Sequence, residues 1–167
     1  KMKKIPLSQG KFALVDDKDY AFLMQWKWCL SSKRYAARNE NYYKADGKRT
    51  TRTIAMHQVL NKAPKGKLTD HRDGDGLNNQ RYNLRTATKS QNMRNRKSSK
   101  DSSSKYLGVS FVKKWNKYRA SISLGNGKTK SIGGFYKTDK DAAKAYNIEA
   151  LKYHGDFARL NKIEGVR

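Results

Sequence analysis

The chain has 167 residues, with 38 Lys+Arg against 14 Asp+Glu and a formal net charge of +24. Such an excess repels itself unless a polyanion neutralises it, which points to nucleic acid or to an anionic surface. No apolar run approaches the roughly 18 residues of a spanning helix, and Lys1-Met2-Lys3-Lys4-Ile5-Pro6 has no apolar stretch like that of a signal peptide, so neither membrane nor export is expected. The 36% apolar content is low for one large core, while 11% aromatic residues argue against disorder, so two small modules are expected. The single cysteine, Cys29, can form neither an intrachain disulfide nor a cysteine-based zinc site. It lies in Trp26-Lys27-Trp28-Cys29-Leu30 and reads as a core thiol, in keeping with a cytoplasmic setting.

In chain order, Phe12-Ala13-Leu14-Val15 reads as a strand. Asp16 and Asp17 offer cap oxygens to a short helix with Tyr20, Leu23 and Met24 at helical spacing. Strands at Trp28-Cys29-Leu30 and Tyr35-Ala36-Ala37 follow, joined by Ser31-Ser32-Lys33-Arg34. Thr50 to Ile54 is β-rich, and a helix is expected from Ala55 to Leu60. Residues 93–104 lose nearly every apolar side chain, so burial cannot order them. They read as a basic linker whose Arg94, Arg96 and Lys97 lie along DNA phosphates. Three strands are expected next, at Tyr106–Phe111, Tyr118–Leu124 and Lys130–Ile132, the last two joined through Gly125-Asn126-Gly127. Thr138-Asp139-Lys140-Asp141 then starts a helix with Ala142, Ala145, Tyr146, Ala150 and Tyr153 on one face, ended by Gly155. His154 reads as a helix-end residue.

The densest chemistry lies in residues 68–93. Asp70-His71 precedes the glycine-containing loop Arg72-Asp73-Gly74-Asp75-Gly76, Asn83 follows His71 by twelve residues, and Asn92 comes nine later. Cutting a phosphodiester needs a base for water and a positive charge for the phosphoryl oxygens. A neutral imidazole supplies the first near pH 7, and a hard divalent cation held by carboxylate and amide oxygens supplies the second. Asp73-Gly74-Asp75-Gly76 reads as a turn rather than a calcium loop, because Leu84 stands where the bidentate Glu belongs.

Asp70-His71, Asn83 and Asn92 resemble the HNH nuclease signature, in a variant with Asn for the final His. Ile54-Ala55-Met56-His57-Gln58-Val59-Leu60 is similar to the helix before that motif in phage and intron-encoded HNH homing endonucleases. The resemblance implies a ββα-metal module with His71 as general base and Asp70 and Asn92 as metal ligands. Asn83 would pin the loop and orient the base. Mg²⁺ or Mn²⁺ is the expected ion. His57 reads either as a contact near the scissile phosphate or as a core residue.

Tyr106-Leu107-Gly108-Val109, Tyr118-Arg119-Ala120-Ser121-Ile122, Ile132-Gly133-Gly134-Phe135 and Gly155-Asp156-Phe157-Ala158-Arg159-Leu160-Asn161 resemble an AP2 DNA-binding domain. That likeness implies a three-stranded antiparallel sheet backed by one helix and lying in the major groove. Lys113, Lys114, Trp115, Lys117, Arg119, Lys128 and Lys130 are the contact candidates. Alternation puts Arg119, Ser121 and Ser123 on the groove face. Leu107, Ser110, Ser121 and Ser123 depart from plant members, so their base preference does not carry over.

The expectation is therefore an α+β chain: an HNH module with extra strands at 1–92, a basic linker at 93–104, an AP2-like module at 105–161 and a tail at 162–167. Its expected activity is site-specific, homing-type cutting of double-stranded DNA by a monomer, in a bacterial or phage-infected cell. A non-catalytic DNA-binding regulator is the alternative, and a structural RNA-binding protein would explain the charge alone. Arg34, Arg38, Arg49 and Arg52 are candidate base readers in the N-terminal strands on charge only.

Overall fold

The structure, a computed structural model, describes residues 1–32, 34–95, 102–125 and 127–163. The chain falls into two compact units, Lys1–Thr88 and Lys89–Arg167. The division comes four residues before the boundary expected at residue 92 and places Asn92 in the second unit. Lys33, Arg96, Lys97 and Asn126, which the sequence reading singled out, lie outside the described residues, as do positions 164–167 of the tail. Among the described residues no helix is long and apolar enough to cross a membrane.

The first unit begins with a strand absent from the sequence reading, β1 (Met2–Pro6), paired antiparallel with β2 (Phe12–Asp16). Two lysines mask β1, and only Ile5 is buried in it. Opposite it, alternation in β2 sends Ala13 and Val15 into the core. Helix α1 (Asp17–Leu23) follows, but Asp16 makes no capping hydrogen bond. Its carboxylate instead accepts from the Arg81 backbone N–H at 2.8 Å, so a distant loop takes the oxygen expected to cap the helix. Strands β3 (Cys29–Leu30), β4 (Ala36–Tyr43) and β5 (Arg49–Ala55) form an antiparallel sheet in that order. Helix α2 (Met56–Leu60) continues from β5, with the Ala55 N–H donating to Gln58 Oε1. Val15, Leu23, Trp28 and Met56 share one core cluster, and Trp28 donates its indole N–H to the Leu23 carbonyl at 2.7 Å. Strands β6 (Leu68–His71) and β7 (Leu84–Ala87) then form a separate antiparallel pair.

The second unit opens with α3 (Lys89–Arg94), so Arg94 ends a helix rather than starting a free arm. Its Nε is buried without a hydrogen-bond partner. The far end of the linker is also held locally, because Ser103 and Ser104 hydroxyls accept the N–H groups of Phe111 and Tyr106. Strands β8 (Val109–Val112), β9 (Lys117–Gly125) and β10 (Lys128–Tyr136) form an antiparallel sheet with β9 in the middle. Helix α4 (Asp139–His154) starts as expected: Thr138 accepts from the Asp141 N–H at 3.1 Å and donates to its carboxylate at 2.7 Å. Ala120 and Ile122 of β9 are buried in one cluster with Ala142, Ala143, Tyr146 and Ala150 of α4. The helix rotates slightly from the expected face, since Ala143 and His154 are buried while Tyr153 is 37% exposed. His154 closes the helix end on the sheet, its Nε2 lying 2.7 Å from the Ser123 carbonyl.

The helix sits close because Gly108 leaves room. Its φ is +73°, and a Cβ there would lie 2.2 Å from the Tyr146 ring and 2.6 Å from the Ser121 carbonyl oxygen. Gly108→Ala is therefore expected to destabilise the second unit by about 2 kcal/mol or more, through overpacking and a left-handed backbone. Urea unfolding of the full chain measures this, and an unchanged midpoint would contradict the packing described.

Candidate functional site

The loop between β6 and β7 runs from the end of Asp70-His71 to Asn83; it is polar and mostly exposed, with its asparagines turned inward. Asn78, Asn79 and Asn83 are all buried. Buried amides need partners, and these find them within the loop and on β2. Leu14 of β2 donates its N–H to the Leu77 carbonyl at 2.8 Å and accepts the Asn79 N–H at 2.7 Å. This docks the loop on the first hairpin as a short parallel bridge.

Asn83 holds the loop from within. Its Nδ2 donates to Asp73 Oδ1 at 2.9 Å and to the Asn78 carbonyl at 2.8 Å, while its Oδ1 accepts the Asp73 N–H at 3.1 Å. Asp73 also accepts from the Asp75 N–H and the Asn78 amide. Burial would raise its pKa, but those hydrogen bonds together outweigh burial and leave the carboxyl below its usual range. Asp75 accepts the Leu77 N–H. The acidic pair thus spends oxygens on turn N–H groups, in keeping with a turn rather than a calcium loop. On the other side, Arg81 forms a two-pronged pair with Asp19 of α1, with contacts of 2.8 and 2.7 Å.

Asp70 and His71 end β6 and are both buried. Antiparallel register sets Asp70 opposite Arg85 and His71 opposite Leu84. The Arg85 guanidinium meets Asp70 Oδ2 at 2.8 Å from Nε and 2.7 Å from Nη2. Removing one member of such a buried pair typically costs about 3–5 kcal/mol, so Arg85 is needed wherever Asp70 is kept. The sequence reading missed this residue. The signal was there: in a hairpin, opposed positions have a constant index sum, and Arg85 is the cation opposite Asp70.

Asn79 was missed as well. Its Nδ2 donates to the Leu77 carbonyl at 3.3 Å, which turns its Oδ1 toward His71 Nε2, 3.2 Å away. An amide oxygen only accepts, so Nε2 carries the proton and a neutral ring has its lone pair on Nδ1. The amide that orients His71 is therefore Asn79, four residues before Asn83. Asn83 retains the loop-pinning part of its expected role.

Three rings pack together here. His71 stacks on Tyr35 with centroids 5.8 Å apart, and His57 of α2 sits edge-on to both at 5.0 Å. Burial, and secondarily the neighbouring His71, hold His57 at a pKa of about 4. Burial also lowers His71, against its hydrogen bond to Asn79 and nearby carboxylates. Both imidazoles are thus neutral at pH 7. His57 Nδ1 is buried without a hydrogen-bond partner, which favours the packing alternative for this residue.

Among the described residues no three His, Cys, Asp or Glu side chains cluster in a metal-binding arrangement. By the resemblance, the side chains that would hold a divalent cation are the Asp70 carboxylate, whose Oδ2 also meets Arg85, and the Asn92 amide. That hard-oxygen donor set suits magnesium or manganese, so the residues present fit such an ion. Asn92 lies half-buried on α3.

On the second unit's sheet, alternation exposes Arg119 and Ser123 opposite the helix-packed Ala120 and Ile122, with Ser121 half-buried. Lys113, Lys114 and Trp115 form a 3-10 turn between β8 and β9, and Trp115 packs on Phe135 with centroids 4.4 Å apart. Lys117 and Lys128 are exposed. Lys130 departs from expectation. It pairs in register with Ile122, so it faces α4, where it meets Glu149 at 3.0 Å and the Tyr153 hydroxyl at 2.9 Å.

Residues 54–94, which span α2, the β6–β7 pair and α3, match the HNH endonuclease family. The whole chain is similar to an uncharacterized HNH endonuclease of Acanthamoeba polyphaga mimivirus, 33% identical over 156 residues that cover 93% of this chain and 78% of the relative. The chain belongs to the HNH endonuclease family, and nuclease is the activity that this membership supports. No solved structure matches it.

The buried imidazoles make stability depend on pH. His57 titrates near 4 when folded and near 6.5 when unfolded, so the unfolded chain binds more protons between those values. This contribution is complete above pH 6.5 and is lost as pH falls toward 4. Between pH 7 and pH 5 it amounts to about 2 kcal/mol, and His71 adds in the same direction. Urea midpoints across this range should fall for the wild type and fall less for His57→Phe; a flat wild-type profile would contradict neutral burial.

Proposed function

We propose that this protein is a site-specific, homing-type endonuclease that cuts double-stranded DNA as a monomer, with His71 as general base. The observation that carries the reading is the His71–Asn79 contact, in which the amide oxygen orients the ring and sets its proton on Nε2. Asn79 positions the ring through its amide, Tyr35 and His57 pack against it, and their burial keeps it neutral. By the resemblance, Asp70 would hold Mg²⁺ or Mn²⁺ through its carboxylate, and Asn92 stands at the motif's final ligand position. When bound, the cation supplies positive charge for the phosphoryl oxygens and the leaving oxygen. Arg85 fixes the carboxylate of Asp70. Asn83 keeps the loop closed under both residues.

The second unit, in this reading, is an AP2-like module whose sheet face opposite the helix-packed Ala120 and Ile122 holds DNA through Arg119, Ser121 and Ser123. Lys113, Lys114, Trp115, Lys117 and Lys128 would engage phosphates or the groove wall. Lys130 is left out because its ammonium serves Glu149. Its sheet order, the helix on one face and the basic turn at Lys113–Trp115 support this assignment.

The test uses supercoiled plasmid carrying a duplex that the protein selects by binding. With Mg²⁺ or Mn²⁺ the wild type should nick or linearise it. His71→Ala should bind equally and cut at least about 100-fold more slowly, the usual contribution of a positioned base. A wild type that binds its selected site and never cuts it with either metal would sink the proposal.

A further inference from the structure

We propose that the hairpin formed by β4 and β5 is a base-reading element of its own, entering the DNA major groove and recognising two A·T pairs, one base pair apart, through Asn39 and Asn41. The proposal rests on DNA being the substrate, but not on cutting.

The inner end of the hairpin is anchored by Ala36, Ala37 and Met56, yet positions 41–49 are exposed throughout. A two-stranded ribbon with no core on either face gains little stability from folding alone, so its order depends on cross-strand pairs. The major groove, about 12 Å wide, admits such a ribbon. Residues 39–43 extend about 17 Å at strand rise, enough to cross it.

The two faces differ in chemistry. On the even face Glu40 accepts from Arg38 at 3.0 Å and from Arg52 at 2.7 Å, and the Arg52 guanidinium lies over the Tyr42 ring. Two of the arginines expected to read bases are therefore tied up. On the odd face Thr53 donates its hydroxyl proton to Asn39 Oδ1 at 3.1 Å, and Thr51 donates to Asn41 Oδ1 at 2.7 Å. Each threonine fixes the sense of its amide. Each asparagine keeps its NH₂ and a second oxygen lone pair, the donor and acceptor that match adenine N7 and N6–H. Side chains ordered in advance lose less entropy on binding.

Spacing gives the register. Asn39 and Asn41 are two residues apart on one face, about 6.7 Å at strand rise. Two base steps of duplex cover about 6.8 Å. The charge is also right for a polyanion: five basic residues stand against two acidic ones between Arg38 and Arg52. Both acids are already engaged within the ribbon, Glu40 as above and Asp46 with Lys48 at 3.8 Å. Among the described residues Lys44 and Arg49 have no acidic partner, and they flank the amides as phosphate contacts.

The test selects binders from a duplex pool with a randomised core, using the full chain in EDTA so that cutting plays no part. The wild type should enrich a motif containing two A·T pairs separated by one base pair. Asn39→Ala/Asn41→Ala should lose that block alone and bind the wild-type duplex about 30-fold or more weakly, at about 1–3 kcal/mol per bidentate contact. Asn39→Asp/Asn41→Asp keeps the shape and the threonine contacts but offers only acceptors, so the block should shift toward cytosine. Lys44→Ala/Arg49→Ala should weaken selected and scrambled duplexes alike and flatten the salt dependence. An asparagine variant that selects the same motif with the same affinity overturns the proposal. So does a wild type that enriches no motif, or a ribbon whose edges instead pair two copies of the chain into a dimer without DNA.

Discussion

Asparagines buried from a polar, otherwise exposed loop must satisfy their hydrogen bonds, and this constraint organises the first unit. The segment from Arg72 to Asn83 has only Leu77 and Tyr82 as sizeable apolar side chains, so burial of apolar surface cannot hold it. Asn78, Asn79 and Asn83, with Asp73 and Asp75, close it instead through amide and carboxylate contacts. Each unmet partner would cost about 1–3 kcal/mol, so the network holds together as a unit. Because the loop also docks on Leu14, the position of Asn79 is set by the first hairpin, and through Asn79 so is the proton on His71.

The same economy of partners separates structural charges from working ones. With so many cations on the chain, several acidic side chains hold a basic neighbour. Asp70 takes Arg85, Asp19 takes Arg81, Glu40 takes two arginines and Glu149 takes Lys130. Those cations serve folding. Exposed cations outside these pairs include Lys44 and Arg49 on the β4–β5 ribbon and Lys113, Lys114 and Arg119 in the second unit.

Much of this was legible in the sequence, and the omissions have physical reasons. Period-2 alternation from Tyr118 to Ser123 marked which residues pack on the last helix, and Thr138 with Asp141 marked its start. Asp70, His71 and Asn83 were found because side-chain type and spacing carry their chemistry. Asn79 and Arg85 were not, since each acts through a partner that pairing register and loop closure bring near. Strand β1 was hidden by lysines on a half-exposed edge. Lys130 was misplaced because a cation on a strand reads as solvent-facing until the register puts it beside a glutamate. Asp16 looked like a helix cap, but a loop 65 residues away claims its carboxylate.

A neutral imidazole, protonated on Nε2, is held at the end of β6. Long-range ¹⁵N–¹H correlation spectra of the full chain, labelled in histidine and assigned with His71→Ala, read this directly at pH 7. The wild-type His71 ring should be neutral with its proton on Nε2, shifting to the other tautomer or to a mixture in Asn79→Ala. A His71 that is an imidazolium at pH 7, or that carries its proton on Nδ1 in the wild type, would contradict it.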